Sequence, residues 1–345
     1  MKKFKRTKFW KIFLLIIIVP FYDLIWKYII NFYGKILYIL WNLKKRDYFD
    51  LKKNNNFLLK DNKFFSNFAA EIANHCNEEI LSNSRNTIYE DSPVVKTFSD
   101  KKGEKYLNGL FETLPEDLKR KIVNFASSDL MITTAAKYLG VFPILTRIYL
   151  YHNIPIAESS EKAAQLWHRD GFGYKGIDLF VSITDVNEFS GPLFFLNKKN
   201  KLGVFERVEN SIQNPRKGER NKITLENFDK IYPKEYIDNN MGKKGTALFI
   251  DSYNCYHRGG FCKKSDRVML RIAYDTIDSV VTNSAERFQK DNNNGVHYNL
   301  FEEREKKFNS IFLRYLFLKR SYLFHKLKIA EKLLNFYQFM HHKIV

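Results

Sequence analysis

The sequence predicts an α+β protein in which a helical region precedes a β-barrel or β-sandwich core. Apolar residues recur at helical spacing from Phe64 to about Leu139, as in Phe65, Phe68, Ala69 and Ile72 and again in Leu118, Ile122, Val123 and Phe125. After Pro143 the pattern changes to short segments rich in β-branched and aromatic residues. Helices first and many short strands afterwards is the order of an α+β fold.

Four segments read as strands: Ile144–Tyr151, Ile177–Thr184, Thr246–Asp251 and Val268–Thr276, each bounded by Gly, Pro, Asn or Ser-Gly. Residues 44–60, with Lys44-Lys45-Arg46 and Asn54-Asn55-Asn56, read as a linker, and 198–243 as a long polar insertion between strands. Along Ile144–Tyr151 the positions Arg147, Tyr149 and Tyr151 alternate with apolar ones, the pattern of a wall lining a polar cavity or of a solvated face. Trp167 and Phe195 read as core.

The chain has 345 residues, 45% of them hydrophobic, which suits one large or two ordinary folded domains. Three scattered thiols, Cys76, Cys255 and Cys262, cannot staple a fold of this size and suit a reducing compartment. The formal charge of +19 is concentrated at the two ends. Residues 1–60 carry 14 Lys/Arg against 3 Asp/Glu, residues 301–345 carry 10 against 4, and the middle keeps only +2. Both ends are also apolar and aromatic, which suits an anionic membrane surface better than a phosphate groove and argues against nucleic acid as a partner.

The N-terminal unit, 1–45, begins with six cationic residues between Lys2 and Lys11, then an uncharged run of 11 residues, Ile12 to Tyr22. No small-residue cleavage site follows, so it does not read as a removable signal. A span needs roughly 20 apolar residues, and Pro20 interrupts the run. Asp23, Lys27, Asn31 and Lys35 then fall on one side of a helix, making Leu24–Leu43 amphipathic. A helix on the membrane surface, a span, and a helix packed on its own protein all fit. The C-terminal unit, 311–345, repeats the basic amphipathic theme, leaving 46–310 as the catalytic candidate. These features predict a cytoplasmic protein associated with the cytoplasmic face of a membrane.

The chemistry lies in Gln165-Leu166-Trp167-His168-Arg169-Asp170-Gly171. On an extended backbone His168 and Asp170 point to one face, supplying an imidazole and a carboxylate of a two-His, one-carboxylate metal triad. The third ligand is expected from a later strand, and His257 follows Gly245-Thr246-Ala247-Leu248-Phe249-Ile250-Asp251. Gly259 and Gly260 behind it leave backbone space beside a metal. Arg267 opens the last strand, with Arg271 four residues on. Both share parity, and either guanidinium fits the far carboxylate of a dicarboxylic co-substrate.

These blocks, together with Thr184-Asp185-Val186 and Ser190-Gly191-Pro192-Leu193, resemble the phytanoyl-CoA dioxygenase-like branch of the Fe(II)/2-oxoglutarate oxygenases over about residues 140–276. The resemblance implies a double-stranded β-helix, a jelly-roll or cupin-like barrel, with buttressing helices. It implies Fe(II) on His168, Asp170 and His257, with 2-oxoglutarate and dioxygen as co-substrates. The far carboxylate of 2-oxoglutarate is expected on Arg267 rather than Arg271, which could instead touch substrate, and Tyr149 is a further candidate at the cofactor. The implied reaction hydroxylates an unactivated C–H of a small organic, amphiphilic or lipid-linked substrate, releasing succinate and carbon dioxide. Relatives that halogenate lack the carboxylate ligand, so Asp170 disfavours halogenation.

Three rivals stand beside this reading. His168-Arg169-Asp170 is also a kinase tripeptide, but Lys175 stands where a kinase needs Asn, and the glycine-rich loop and Asp-Phe-Gly are absent. A catalytically silent, membrane-associated barrel acting as a binding or scaffold module is the main alternative. A zinc hydrolase using the same three ligands is the other.

Overall fold

The structure, a computed structural model, describes residues 31–43, 45–51, 56–86, 98–99, 105–155, 163–170, 175–197 and 223–276. The basic start of the chain, the polar stretch 198–222, the segment 277–300 and the C-terminal amphipathic segment 311–345 lie outside these residues.

Helix α1 spans Asn31–Asn42. Helix α2, Lys63–His75, starts where the Asn62 side chain accepts from the Phe64 amide, and it buries Phe65, Ala69 and Ile72 on one stripe. Helix α3 is Glu78–Asn86. Helix α4, Glu116–Ala126, follows Pro115, carries Glu116 and Asp117 in its positive first turn and buries Leu118, Ile122, Val123 and Ala126. Helix α5, Asp129–Leu139, is capped by Ser128 and ends at Gly140, whose φ of 74° is the left-handed conformation that glycine adopts without strain.

The strands are β1 (Asn56–Leu59), β2 (Phe98–Ser99), β3 (Lys105–Gly109), β4 (Ile144–Asn153), β5 (Gly176–Ser182), β6 (Leu193–Leu196), β7 (Ile237–Asn239), β8 (Ala247–Ile250), β9 (His257–Gly259) and β10 (Arg267–Asp275). Helix α6, Leu225–Ile231, precedes β7. The strands form a seven-stranded sheet of order β1-β8-β5-β10-β4-β3-β2 and a three-stranded sheet of order β7-β6-β9, antiparallel throughout.

Period-two alternation divides the large sheet into two faces. Ile148, Leu150, Leu179, Val181, Phe249, Leu270 and Ile272 join Phe65, Ile72 and Ile122 of the helices in one core. Phe180, Leu248, Ile250 and Met269, on the opposite face, pack with Leu193, Phe195 and Leu196 of the small sheet in a second core. Two antiparallel sheets closed over their own inner faces, with helices buttressing the larger, make the α+β double-stranded β-helix expected from the sequence. Trp167 and Phe195 are core residues, at 1% and 0% exposure.

Three expectations are corrected. Residues 44–60 are no free linker: β1 pairs with β8, Phe49 packs on Phe65 and Phe249, and Leu51 is buried. The polar Asn run conceals a four-residue strand too short to show periodicity. Within the region read as helical, β2 and β3 extend the sheet edge beyond β4. Lys105-Tyr106-Leu107-Asn108-Gly109 lacks a β pattern. Backbone pairing holds it, with Asn108 Nδ2 donating to Ser84 Oγ at 2.8 Å. The insertion 198–243 ends in regular structure, since α6 and β7 close the small sheet.

Helix α1 docks by one side and leaves the other bare. The Phe142 amide donates to the Gly34 carbonyl at 2.9 Å, and Trp41 Nε1 donates to Thr133 Oγ1 at 3.0 Å. Its outer side exposes Phe32 (61%), Ile39 (61%), Leu40 (57%) and Leu43 (76%). No helix among the described residues is long and apolar enough to cross a membrane.

Candidate metal centre

After a 3-10 turn at Ala163–Gln165, residues 167–170 run beside the small sheet. Trp167 bridges Ile223 and stacks on Phe228 at 4.0 Å between ring centroids, while His168 bridges His257. In that bridge each histidine donates its amide to the other's carbonyl, so both side chains emerge on one face. Asp170, two residues on, shares the face, and its amide donates to the Ser252 carbonyl at 2.7 Å. The turn carrying Ser252 is held by Asp251, which accepts from Asn254 through both carboxylate oxygens and from the Tyr138 hydroxyl at 2.5 Å. Sequence reasoning quoted Asp251 within its motif without a role; it fixes the loop that delivers His257.

The three side chains therefore converge. One ligand atom from each of His168, Asp170 and His257 lies within 4.8 Å of the others. His168 Nδ1 lies 2.7 Å from the Leu166 carbonyl and His257 Nδ1 lies 3.1 Å from the Cys255 carbonyl. A carbonyl only accepts, so both Nδ1 atoms carry a proton, which leaves both Nε2 atoms as the ring positions available to a metal. Those atoms face the Asp170 oxygens at 3.4 and 3.7 Å. Burial, with the neighbouring His168, pushes His257 down to about 4, so its ring stays neutral. Burial would raise the Asp170 carboxyl, but the Arg271 guanidinium beside it outweighs that and holds it well below the usual range. Two imidazole Nε2 atoms and a carboxylate converging within 4.8 Å are the donor set of a cation site. The residues fit a divalent transition metal bound by two neutral nitrogens and one carboxylate.

The two arginines separate clearly. Arg271 contacts Asp170 Oδ2 and donates to Asp178 Oδ2 at 2.6 Å, so it is already neutralised and holds one oxygen of the ligand carboxylate in place. Arg267, 5% exposed, donates to Asn153 Oδ1 at 3.2 and 2.9 Å and to the Gly191 carbonyl. Both acceptors are neutral, and among the described residues no carboxylate pairs with it. Asp266 turns away to Arg85 and His152. Burial accordingly pulls Arg267 below its ordinary value. Tyr149 is buried on the inner face, opposite Arg271 in register, with its ring 5.3 Å from that of Tyr151. The alternating residues of β4 thus line the interior.

The glycines have a different purpose from the one expected. A Cβ on Gly260 would meet the Pro192 carbonyl at 2.5 Å, so its bareness admits the Gly191-Pro192 loop rather than a metal. Sequence reasoning also missed Asp178, a lone acid in an apolar strand, whose importance appears only through its pairing with Arg271. Cys255 and Cys262 are buried thiols outside the cluster.

Fold and site together define a double-stranded β-helix protein with a largely buried cluster of two histidines and one carboxylate, His257 fully and His168 and Asp170 partly buried. No protein-family model matches the chain, and no curated protein matches it. Among solved structures it is similar to EctD from S. alaskensis in its apo form, at 14% identity over 66% of this chain and 75% of that one, with a TM-score of 0.44. The epimerase SnoN, in complex with Fe3+, alpha ketoglutarate and nogalamycin RO, is similar at 16% over 65% and 80%, with a TM-score of 0.42. AviO1 from Streptomyces viridochromogenes Tue57 is similar at 15% over 60% and 84%, with a TM-score of 0.39. These are distant likenesses, and no residue role is taken from them.

Proposed function

We propose that the protein is an Fe(II)- and 2-oxoglutarate-dependent dioxygenase that hydroxylates a small organic substrate. The observation that carries the reading is the convergence on one face of two imidazoles, each turned by its Nδ1–H toward a carbonyl, and the Asp170 carboxylate. Bound iron would supply the centre at which dioxygen and 2-oxoglutarate are consumed, giving succinate, carbon dioxide and one oxygen atom for the substrate C–H. His168 and His257 hold the metal through Nε2, each oriented by its Nδ1–H bond to a carbonyl. Asp170 completes the set, oriented by Arg271. Arg267 receives the far carboxylate of 2-oxoglutarate, because a buried guanidinium matched only by neutral oxygens has a charge left for an anion. Tyr149 lines the same interior beside Arg271.

The test is the anaerobic visible spectrum of the full chain. Fe(II) and 2-oxoglutarate together are expected to give a weak charge-transfer band that neither gives alone and that His168→Ala abolishes. A folded, iron-loaded protein without that band would move the scaffold and zinc readings ahead.

A membrane surface is proposed as the partner of helix α1. Its bare face of Phe32, Ile36, Ile39, Leu40 and Leu43 lies within an N-terminal region of net charge +11, a combination suited to anionic lipid. Sedimentation with phosphatidylserine-containing vesicles, reduced at least tenfold by Ile39→Asp with Leu43→Asp, is the expected result. Equal sedimentation of the variant would reject this face as the contact.

A further inference from the structure

Among the described residues Arg147, Arg267 and Arg271 face the interior, and they differ in what already holds them. Arg271 is bound by two carboxylates and Arg267 by neutral oxygens. Arg147, on β4, is ion-paired with the buried Asp275, whose Oδ2 stands 3.8 Å away, too far for a hydrogen bond, and it donates no hydrogen bond among the described residues. Its side chain is only 16% exposed. A guanidinium carries five N–H donors in a planar fork, and the Asp275 pairing at 3.8 Å leaves that fork open to hydrogen bonding. An open fork on an interior wall is a place where a ligand can supply the acceptors.

Register places this group. Arg147 stands opposite Ala273, one position along the inner face from the Tyr149–Arg271 pair that touches Asp170. Across β10 the next inner-face residue is Asp178, so only the Ala273 methyl separates them on that strand. Arg267 lies in the other direction, beyond Met269 and opposite Asn153. The metal ligand Asp170 therefore meets the wall between two guanidinium groups, one at the Asn153 end and one at the Asp275 end. A dicarboxylic co-substrate anchored on Arg267 leaves Arg147 for a second anion.

We propose that Arg147 is the group that docks an acidic function of the primary substrate, a carboxylate or a phosphate, and that substrates of this site are anions. The inference rests on the metal-centre reading and deepens it. The Arg147 fork receives two acid oxygens, while the Ala273 methyl leaves room beside it and Tyr149 flanks it on the metal side. Arg267 sets where 2-oxoglutarate lies, and Arg147 sets which end of the substrate points away from the metal.

The experiment uses the full chain loaded with Co(II) and saturating 2-oxoglutarate, at fixed ionic strength. Thermal melting is followed with octanoate against octanamide and with octyl phosphate against octanol. The acids are expected to raise Tm in a saturable way, the neutral partners are not, and Arg147→Gln is expected to weaken the acids at least tenfold. Arg147→Lys keeps the charge and recovers part of the effect. In Arg267→Gln the acids still bind while 2-oxoglutarate does not, which separates the two anion sites. Equal shifts by acids and neutral partners, no shift by any acid, or an undiminished response in a folded Arg147→Gln would each overturn the proposal. The acid-against-amide comparison needs no variant, so a Gln variant that fails to fold leaves it decisive. Absence of the Co(II) visible bands would overturn the metal centre instead. The same pairs tested on the metal-free chain would then support the anion site if the acids alone bind, and reject it if they do not.

Discussion

His168 and His257, 89 positions apart in the chain, exchange backbone hydrogen bonds of 3.0 and 2.9 Å, and their rings stand 4.5 Å apart. The spacing of the two imidazoles is thus set by a rung of β pairing rather than by the side chains. Removing one ring leaves the rung intact. His168→Ala and His257→Ala are each expected to fold normally and to lose Co(II) binding by roughly 100-fold or more, read from the cobalt absorption bands with circular dichroism as the folding control.

Asp178 neutralises Arg271 within a buried strand, with 2% of the residue exposed. Asp178→Asn leaves Arg271 to share Asp170 with the metal. Breaking a buried pair on one side costs about 3–5 kcal/mol, so the urea midpoint should fall substantially and metal affinity should drop with it. An unchanged midpoint would show that Asp170 alone compensates the guanidinium.

Gly191 has a φ of 70°, and a Cβ there would stand 2.7 Å from the Cys262 amide nitrogen. Its carbonyl also accepts from Arg267. Gly191→Ala is expected to cost about 1–3 kcal/mol from backbone strain alone. By shifting Arg267 it should also weaken 2-oxoglutarate binding in calorimetric titration, while Co(II) affinity is retained.

Asp266 ties α3 to the sheet through Arg85 and His152, next to the buried Ser84 and Asn108. Burial works against its charge, but the His152 and Arg85 contacts prevail and its carboxyl sits below the ordinary value. A depressed carboxylate contributes stability that is complete above the unfolded value and is lost as pH falls through the folded one. The wild-type Tm should therefore fall more steeply below about pH 4 than that of Asp266→Asn, which lacks the contribution at every pH. Parallel curves would remove Asp266 from the acid-sensitive set.

The convergence of His168, Asp170 and His257 was legible because strand parity puts His168 and Asp170 on one face, and because a second strand-borne histidine follows a recognisable turn. Arg267 was preferred to Arg271 on the resemblance alone; that Arg271 already has carboxylate partners and Arg267 only neutral ones is a property of assembled neighbours and was not legible. β1 and β3 escaped notice for a related reason. Their residues carry little pattern of their own and are held by the backbones of β8 and β4. Gly260 was misread because a bare α-carbon signals close approach without saying what approaches.

Strand β10 gives its odd-numbered residues to the chemistry and its even-numbered ones to the fold. Arg267, Met269, Arg271 and Ala273 face the interior, while Val268, Leu270, Ile272 and Tyr274 pack against the helix side. The two sets are heritable almost independently. Substitution at Met269 or Ala273 can reshape what the interior accepts without disturbing the helix-side packing, so a library confined to these sites should retain expression while ligand preference diverges. A library at the even positions should do the reverse, losing folded protein before it changes any preference.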